Sequence, residues 1–162
     1  MDERTFSRLV QAHQDTLFRT AYTLLHNAED CKDTLQEALL KAWKNKSSLR
    51  NPEAFRSWML HIVVNCAKDA LRKRKISTEA LTDNLCAPEV PPEDESLSAA
   101  LSALPKGLRL TVTLYYLEGL SIAEIARVMR APQGTVKNYL FRGRKHLKKT
   151  LEKYRKEDES WK

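Results

Sequence analysis

An acidic, proline-containing segment divides this chain into two basic halves. Residues 76–100 contain six Asp or Glu, no Lys or Arg, and three of the prolines, including a Pro91-Pro92 pair that breaks any long helix. Residues 1–75 carry a net charge of +5 and residues 101–162 a net charge of +8. This division predicts two small domains joined by an extended acidic linker. We place the domains at 1–75 and 99–154, the linker at 76–98 and a flexible tail at 155–162.

Apolar residues recur at three- and four-residue spacing in both halves, which predicts an all-α protein. The net charge of +7 and the pI of about 9.4 favour a polyanionic partner. The N-terminus is charged and lacks the apolar segment of a signal peptide, and no stretch is long and apolar enough to span a membrane. The three cysteines are far apart and have no metal-ligand spacing. We therefore expect a cytoplasmic protein without a metal or another cofactor.

One face of the second predicted helix is acidic although its domain is basic. Asp33, Gln36, Glu37 and Leu40 follow the i, i+3, i+4, i+7 spacing that places side chains on one helix surface. Because DNA would repel this face, it favours contact with a basic protein partner. A solvated helix face is the alternative.

The third predicted helix, from about Pro52 to Lys75, carries a polar and basic stripe opposite its apolar one. This stripe consists of His61, Asn65, Lys68 and Arg72. Cationic side chains contact DNA phosphates, and an Asn amide can hydrogen-bond a base edge. The polar loop before the helix could accept unstacked bases, and its candidate residues are Lys46, Ser47, Arg50 and Asn51.

The second half contains the pattern of a helix-turn-helix. Ser121-x-x-Glu124 is a capping box that begins a short helix, the turn Arg130-Ala131 follows, and Pro132 opens a basic helix. The basic helix is suited to the major groove, where Arg or Lys recognises guanine and Asn or Gln recognises adenine. The candidate DNA contacts are Gln133, Thr135, Lys137, Asn138, Arg142 and Lys145. A helical hairpin with a solvated basic face is the alternative.

Taken together and in their order along the chain, these motifs resemble those of bacterial RNA polymerase sigma factors of the extracytoplasmic-function (ECF) subfamily of the sigma-70 family. The region 2 resemblance is carried by Asp33-x-x-Gln36-Glu37, Trp43 and Phe55-x-x-Trp58-Met59-x-x-Ile62-x-x-Asn65-x-x-x-Asp69-x-x-Arg72. The region 4 resemblance is carried by Leu104-Pro105, Leu114-Tyr115-Tyr116-x-Glu118-Gly119-x-Ser121, Glu124-Ile125-Ala126, Gly134-Thr135-Val136-Lys137 and Arg142-x-Arg144-x-x-Leu147.

Four positions depart from the usual pattern. Asn138-Tyr139 stands where the family often has Ser-Arg, which leaves the −35 specificity open. Arg130 stands where such turns often have Gly. Gly143 stands where the family often has Ala, at an expected cost in helix propensity of about 1 kcal/mol.

The resemblance implies a set of partners. The face of Asp33, Gln36 and Glu37 would dock on the coiled coil of the largest subunit of core RNA polymerase. The loop 45–53 and the Asn65 helix would open and hold the −10 strand of promoter DNA. The second domain would recognise −35 duplex and contact the polymerase flap, and the acidic linker would thread through the polymerase. The resemblance also implies an anti-sigma factor, often membrane-anchored, as a further partner. It implies no small-molecule substrate.

Other functions fit the sequence less well. An autonomous helix-turn-helix transcription regulator would share the second domain but would give no reason for the acidic face of Asp33 and Glu37. An enzyme is disfavoured because the four histidines lie in separate helices without a nucleophile or phosphate-binding motif. A membrane-surface protein would carry Leu, Phe or Trp where these basic faces have Asn, Gln and Thr.

Overall fold

The computed structural model describes residues 1–78 and 95–159, and these residues form seven α-helices. The helices are α1 (Glu3–Leu25), α2 (Ala28–Lys44), α3 (Phe55–Thr78), α4 (Glu95–Ala103), α5 (Lys106–Val112), α6 (Ile122–Met129) and α7 (Gln133–Glu159). Two 3₁₀ turns, Lys46–Ser48 and Pro52–Ala54, connect α2 to α3, and a π-helical turn at Thr113–Leu117 continues α5. No β-strand occurs in either described range, which confirms the predicted all-α fold.

Local capping residues set the bounds of the first two helices. The Thr5 N–H donates to the Asp2 carboxylate over 3.0 Å at the start of α1. His26 ends α1 in the left-handed conformation with φ of 51°, and the next residue, Asn27, accepts from the Asp30 N–H over 3.0 Å to begin α2. The reversal between α1 and α2 is therefore completed within two residues.

Helix extends further than the predicted domain limits on both sides of the acidic segment. Helix α3 continues to Thr78 and α4 begins at Glu95, so both helices enter the interval 76–98 predicted as linker. The middle of that interval, 79–94, lies outside the described residues. Helix α7 continues to Glu159, into the predicted tail at 155–162, because Lys153–Glu159 contains no Gly or Pro to end it.

The core of the first domain lies between α1, α2 and α3. Phe55, Met59 and Val63 of α3 are fully buried in it. Ala38 and Ala67 are also fully buried, and their small side chains allow α2 and α3 to approach closely. This three-helix bundle presents the remaining faces of α2 and α3 for contacts with partners.

A close approach between α5 and α7 explains the glycine at position 143. A Cβ atom at Gly143 would lie 2.6 Å from Val112 Cγ2, a distance at which either the Val112 side chain or one of the two helices has to shift. The loss of helix propensity expected at Gly143 is therefore offset by a tighter contact, which fixes α7 on its own domain.

The two domains pack directly against each other. Helix α6 lies along α3, and α5 contacts α1. Leu114, Ile125 and Val128 of the second domain belong to the same hydrophobic cluster as the first domain's core. This continuous apolar contact between the two domains was not part of the sequence prediction.

Arg109 joins the ends of helices from both domains. The residue is only 9% exposed, and its guanidinium donates to the carbonyls of Leu101, Ser102 and Leu104 in its own domain. It also donates to the Thr23 carbonyl over 3.2 Å and to the His26 ring at the end of α1. The last turn of α1 has no basic residue of its own. Arg109 therefore supplies the cation that the negative end of the α1 dipole favours.

Candidate functional site

The acidic face of α2 is open to solvent. Asp33, Gln36, Glu37 and Leu40 are all exposed, and the Leu40 side chain is 63% exposed. Glu37 pairs with Lys41 over 2.7 Å, and this hydrogen bond raises the pKa of Lys41. The structure therefore brings the four predicted docking residues together on one surface, with an exposed leucine beside the carboxylates.

A groove of about 510 Å³ adjoins this acidic face between α2 and α3. Asp30, Asp33 and Glu37 line one side, and Lys73 and Arg74 of α3 line the other. Arg74 approaches Asp30 to 3.5 Å across the groove. The groove is therefore lined by carboxylates of α2 and by cations of α3.

The loop before α3 is ordered by its own side chains. The Lys46 ammonium lies 3.1 Å from the ring centroid of Trp43, which in turn packs edge-on against Phe6. The Asn51 side chain accepts from the Glu53 N–H over 3.0 Å. Ser47, Arg50 and Asn51 are exposed, so the loop presents a polar, basic surface beside α3.

His61 faces the second domain, and Asn65 binds it from the next turn of α3. Because a carbonyl oxygen only accepts, His61 Nδ1 carries the proton and donates to the Val128 carbonyl over 3.0 Å. The other ring nitrogen, Nε2, accepts from Asn65 Nδ2 over 3.0 Å and from Arg130 Nε over 3.1 Å. His61, one of the residues predicted to contact the −10 strand, is therefore hydrogen-bonded across the domain boundary, and Asn65 binds it from within α3.

The other half of the same stripe is open to solvent. Lys68 and Arg72 are exposed, and Arg72 forms an ion pair with Asp69 one turn before it. The stripe predicted as one surface is therefore divided. Its first residue, His61, contacts the second domain, and Asn65 contacts His61, whereas the last two residues face solvent beside the basic end of α3.

The helix-turn-helix has the predicted capping box. The Glu124 N–H donates to Ser121 Oγ over 3.2 Å, and the Ser121 N–H donates to the Glu124 carboxylate over 2.8 Å. Arg130 ends α6 in the left-handed conformation with φ of 51°, where glycine is the usual residue. The side chain of Arg130 explains why arginine stands here, since it contacts His61 of the first domain.

The basic face of α7 is exposed to solvent. Val136, Leu140 and Gly143 are buried, and five of the predicted DNA contacts are exposed on the other side of the helix. These five are Gln133, Lys137, Asn138, Arg142 and Lys145; the sixth, Thr135, is half-buried.

Phe141 is a residue of this surface that the sequence prediction missed. Its side chain is 62% exposed and lies on the outward face of α7, one residue before Arg142. A phenylalanine in a basic helix usually belongs to the core, so the residue type alone did not identify Phe141 as a surface residue. The helical position, opposite the buried Val136 and Gly143, is the signal that would have found it.

The described residues contain no group of three or more His, Cys, Asp or Glu that could hold a metal ion. Cys31 and Cys66 are buried free thiols, and burial raises the pKa of Cys31 to about 11. Within residues 1–78 and 95–159, no helix has the length and apolar character that crossing a bilayer requires.

Both domains match families of known proteins. Residues 9–76 match the Sigma-70 region 2 family model, and residues 94–147 match the Sigma-70, region 4 model. The chain is 32% identical to the ECF RNA polymerase sigma factor SigW of Bacillus subtilis, over 93% of this chain and 90% of that relative. It is also 32% identical to the RNA polymerase sigma-H factor of Pseudomonas aeruginosa, over 93% of this chain and 88% of the relative.

The fold is shared with solved structures of lower sequence identity. The sigma factor RpoE, in complex with the anti-sigma factor NepR from Bartonella quintana, superposes with a TM-score of 0.78 at 21% identity, over 91% of this chain and 96% of that one. CnrH, in complex with the cytosolic domain of CnrY, gives a TM-score of 0.69 at 22% identity, over 93% of this chain and 90% of that one. With both domains and nearly the full length matched, the chain belongs to the ECF RNA polymerase sigma factors of the sigma-70 family.

Proposed function

We propose that this sigma factor separates its tasks between chemically opposite surfaces. The observation that carries the proposal is an exposed acidic face on α2 and an exposed basic face on α7 within one basic chain. A polyanion would be repelled by the first and attracted by the second. We therefore assign polymerase docking to α2, the −10 strand to α3 and its preceding loop, and the −35 duplex to α7.

The docking partner of α2 is the basic coiled coil of the largest subunit of core RNA polymerase. Asp33 and Glu37 supply charge, and Gln36 supplies hydrogen bonds. Leu40, which is 63% exposed, supplies an apolar contact that is buried only in the complex. The groove between α2 and α3 extends the same surface. Charge complementarity gives the contact its orientation, and the leucine adds affinity.

The −10 strand lies along the loop before α3 and the polar stripe of α3. Arg50, Lys68 and Arg72 are exposed cations placed to contact phosphates. Ser47, Asn51 and Asn65 offer hydrogen bonds to unstacked bases, His61 does so once it releases Val128 and Arg130, and Lys46 adds charge at the loop. Melting is driven by capture of unpaired bases, so the mechanism is binding rather than covalent catalysis.

The −35 duplex is recognised by α7 in the major groove. Arg142, Asn138 and Gln133 have the chemistry to contact base edges, and Lys137, Lys145 and Thr135 contact the backbone or neighbouring bases. Phe141 adds an apolar contact of the kind that recognises a thymine methyl group. The same domain contacts the polymerase flap.

An anti-sigma factor, possibly membrane-anchored, is the further partner. Support comes from two solved relatives of the same fold, RpoE and CnrH, which are each bound to a protein partner in their structures. The protein acts in the cytoplasm, where polymerase and promoter DNA are found, and it uses no cofactor or small-molecule substrate.

The docking assignment is tested by core polymerase pull-down with Asp33→Ala/Glu37→Ala. We expect weaker binding with an unchanged circular dichroism spectrum. Asp15→Ala/Glu152→Ala removes the same charge from exposed sites on other helices and should bind core polymerase normally. Equal affinity of the two double variants would contradict the assignment.

The assignment of α7 is tested with Arg142→Ala in transcription assays. This substitution should reduce transcription from promoters that need the −35 element and spare melting of templates with a −10 element alone. An equal loss on both templates would contradict the assignment. Tight duplex binding without any core polymerase binding would instead favour an autonomous regulator.

A further inference from the structure

We propose that Asn138 selects an adenine in the −35 element by a two-point contact with adenine N7 and N6, and that Tyr139 is turned away from the DNA. The proposal rests on the proposed function, because it requires α7 to enter the major groove. At both positions the chain departs from the usual family pattern, so this base preference is a property of this chain rather than one carried over from its relatives.

The half-buried Tyr139 ring belongs to the core of the second domain. It packs against the buried cluster of Leu104, Leu108 and Val112. A Cβ atom at Gly107 of α5 would lie 3.3 Å from Tyr139 Cε2, so the glycine leaves room for the ring. A ring that packs against α5 is not available to a base edge. The residue before it is therefore the member of the pair that can recognise DNA.

Within residues 1–78 and 95–159, Asn138 is the asparagine whose side chain makes no hydrogen bond. Asn27, Asn45, Asn51 and Asn65 each use their side-chain amide in a hydrogen bond over 3.0 Å. Asparagine is a poor helix former, so its presence in the interior of α7 does not serve the stability of that helix. Both the donor and the acceptor of the exposed Asn138 amide are therefore free for a ligand.

Asn138 and Arg142 lie on the strip of α7 that is farthest from the core. At about 100° per residue, each is about 160° around the helix from the buried Leu140. Gly134 lies one turn before Asn138 on the same strip, and a Cβ atom there would contact no other described residue within 4 Å. Because the strip carries no side chain at this turn, DNA can approach α7 closely enough for the short Asn138 side chain to reach a base.

The amide group of Asn138 matches one base. In the major groove, adenine presents N7 as an acceptor and its N6 amino group as a donor, and an amide side chain satisfies both at once. Guanine presents two acceptors and would leave the Asn138 carbonyl oxygen without a donor. The Arg142 guanidinium has only donors and matches guanine instead. Four residues rise about 6 Å along α7, so the guanine should lie within about two base pairs of the adenine.

The test is selection of DNA duplexes from a random-sequence library by the full chain, followed by sequencing. Wild type should enrich duplexes that contain an adenine and, within about two base pairs, a guanine. Asn138→Ala should still enrich the guanine but accept any base in place of the adenine, because the amide is lost and Arg142 is kept. The substitution raises helix propensity, so the variant should fold, which circular dichroism checks.

A modified base tests the contact at a single atom. 7-Deazaadenine has a C–H group in place of N7, so it removes the acceptor and keeps the base pair. In fluorescence anisotropy, wild type should bind the selected duplex about tenfold more weakly when its adenine is 7-deazaadenine. Asn138→Ala should bind both duplexes equally. An adenine preference that came from the shape of the groove would give the same result for both proteins.

Two further variants control the measurement. Gln11→Ala removes an exposed amide from α1 and should enrich the same duplexes as wild type. Tyr139→Phe keeps the ring over Gly107 but removes the hydroxyl group, so it should also leave the selected sequence unchanged. A different sequence selected by Tyr139→Phe would show that the hydroxyl group contacts a base, and would overturn the assignment of Tyr139.

Each outcome decides a different point. A wild-type sequence without the adenine, an adenine preference that persists in Asn138→Ala, or a 7-deazaadenine effect shared by both proteins overturns the role of Asn138. In these cases α7 remains the duplex-binding helix. If wild type enriches no sequence at all, the assignment of α7 to the −35 duplex fails, and the base preference fails with it.

Discussion

The close approach of Gly143 to Val112 predicts that the effect of Gly143→Ala on stability depends on residue 112. Gly143→Ala places a Cβ atom 2.6 Å from Val112 Cγ2, well inside van der Waals distance. In wild type, we expect the variant to be less stable because either the stiff, β-branched Val112 side chain or α7 itself must shift to relieve this contact. In Val112→Ala, the conflicting methyl group is absent, and the same substitution should stabilise the protein.

The magnitude comes from two opposing terms. Alanine gains about 1 kcal/mol over glycine in a helix interior. Overpacking a close contact costs about 1–3 kcal/mol. The net change in wild type is then a loss of about 1 kcal/mol, whereas the full propensity gain remains in Val112→Ala. The coupling energy between positions 112 and 143 should therefore be about 2 kcal/mol.

Urea unfolding of the four proteins of this cycle, followed by far-UV circular dichroism, measures the coupling energy. Val112→Ala alone should be destabilised, because Val112 is buried and loses two methyl groups. A Gly143→Ala substitution that stabilises both backgrounds equally would refute the steric reason for the glycine.

Three further predictions concern stability and reactivity. Ser121→Ala removes the capping box with Glu124 and should lower the free energy of unfolding by about 1 kcal/mol in urea; an unchanged midpoint would contradict it. Burial, then the charges of Arg109 and Lys106, lower the pKa of His26, so the unfolded state binds more protons and stability should fall below about pH 6.5. His26→Asn should flatten that dependence. Cys31, with its pKa of about 11, should react slowly with iodoacetamide in the native protein and fast in urea.

The helices and the outward-facing residues were predictable because local patterns determine them. The Ser121-x-x-Glu124 capping box begins α6 where the sequence predicts it. The spacing of Asp33, Glu37 and Leu40 predicts a shared face, and all three side chains are exposed. Such features depend on residues three to seven positions apart, so periodicity and capping chemistry are sufficient to find them.

Contacts between the domains were not predictable from such patterns. Arg19 and Glu118 are 99 residues apart in the chain, and neither residue belongs to a motif that would pair them. Arg109 is indistinguishable by residue type from a surface cation, although it is buried against His26. His61 lies on the predicted polar stripe, but its partners come from the helix-turn-helix as well as from α3.

The most direct test of sigma factor function is in vitro transcription with core RNA polymerase on a genomic DNA library, combined with mapping of start sites. The wild-type chain should generate start sites that are absent with core polymerase alone, each preceded by the same pair of −35 and −10 elements at constant spacing. Asp33→Ala/Glu37→Ala should reduce all of these start sites together. A set of start sites no different from that of core polymerase alone, obtained with protein that still binds duplex DNA, would contradict the account.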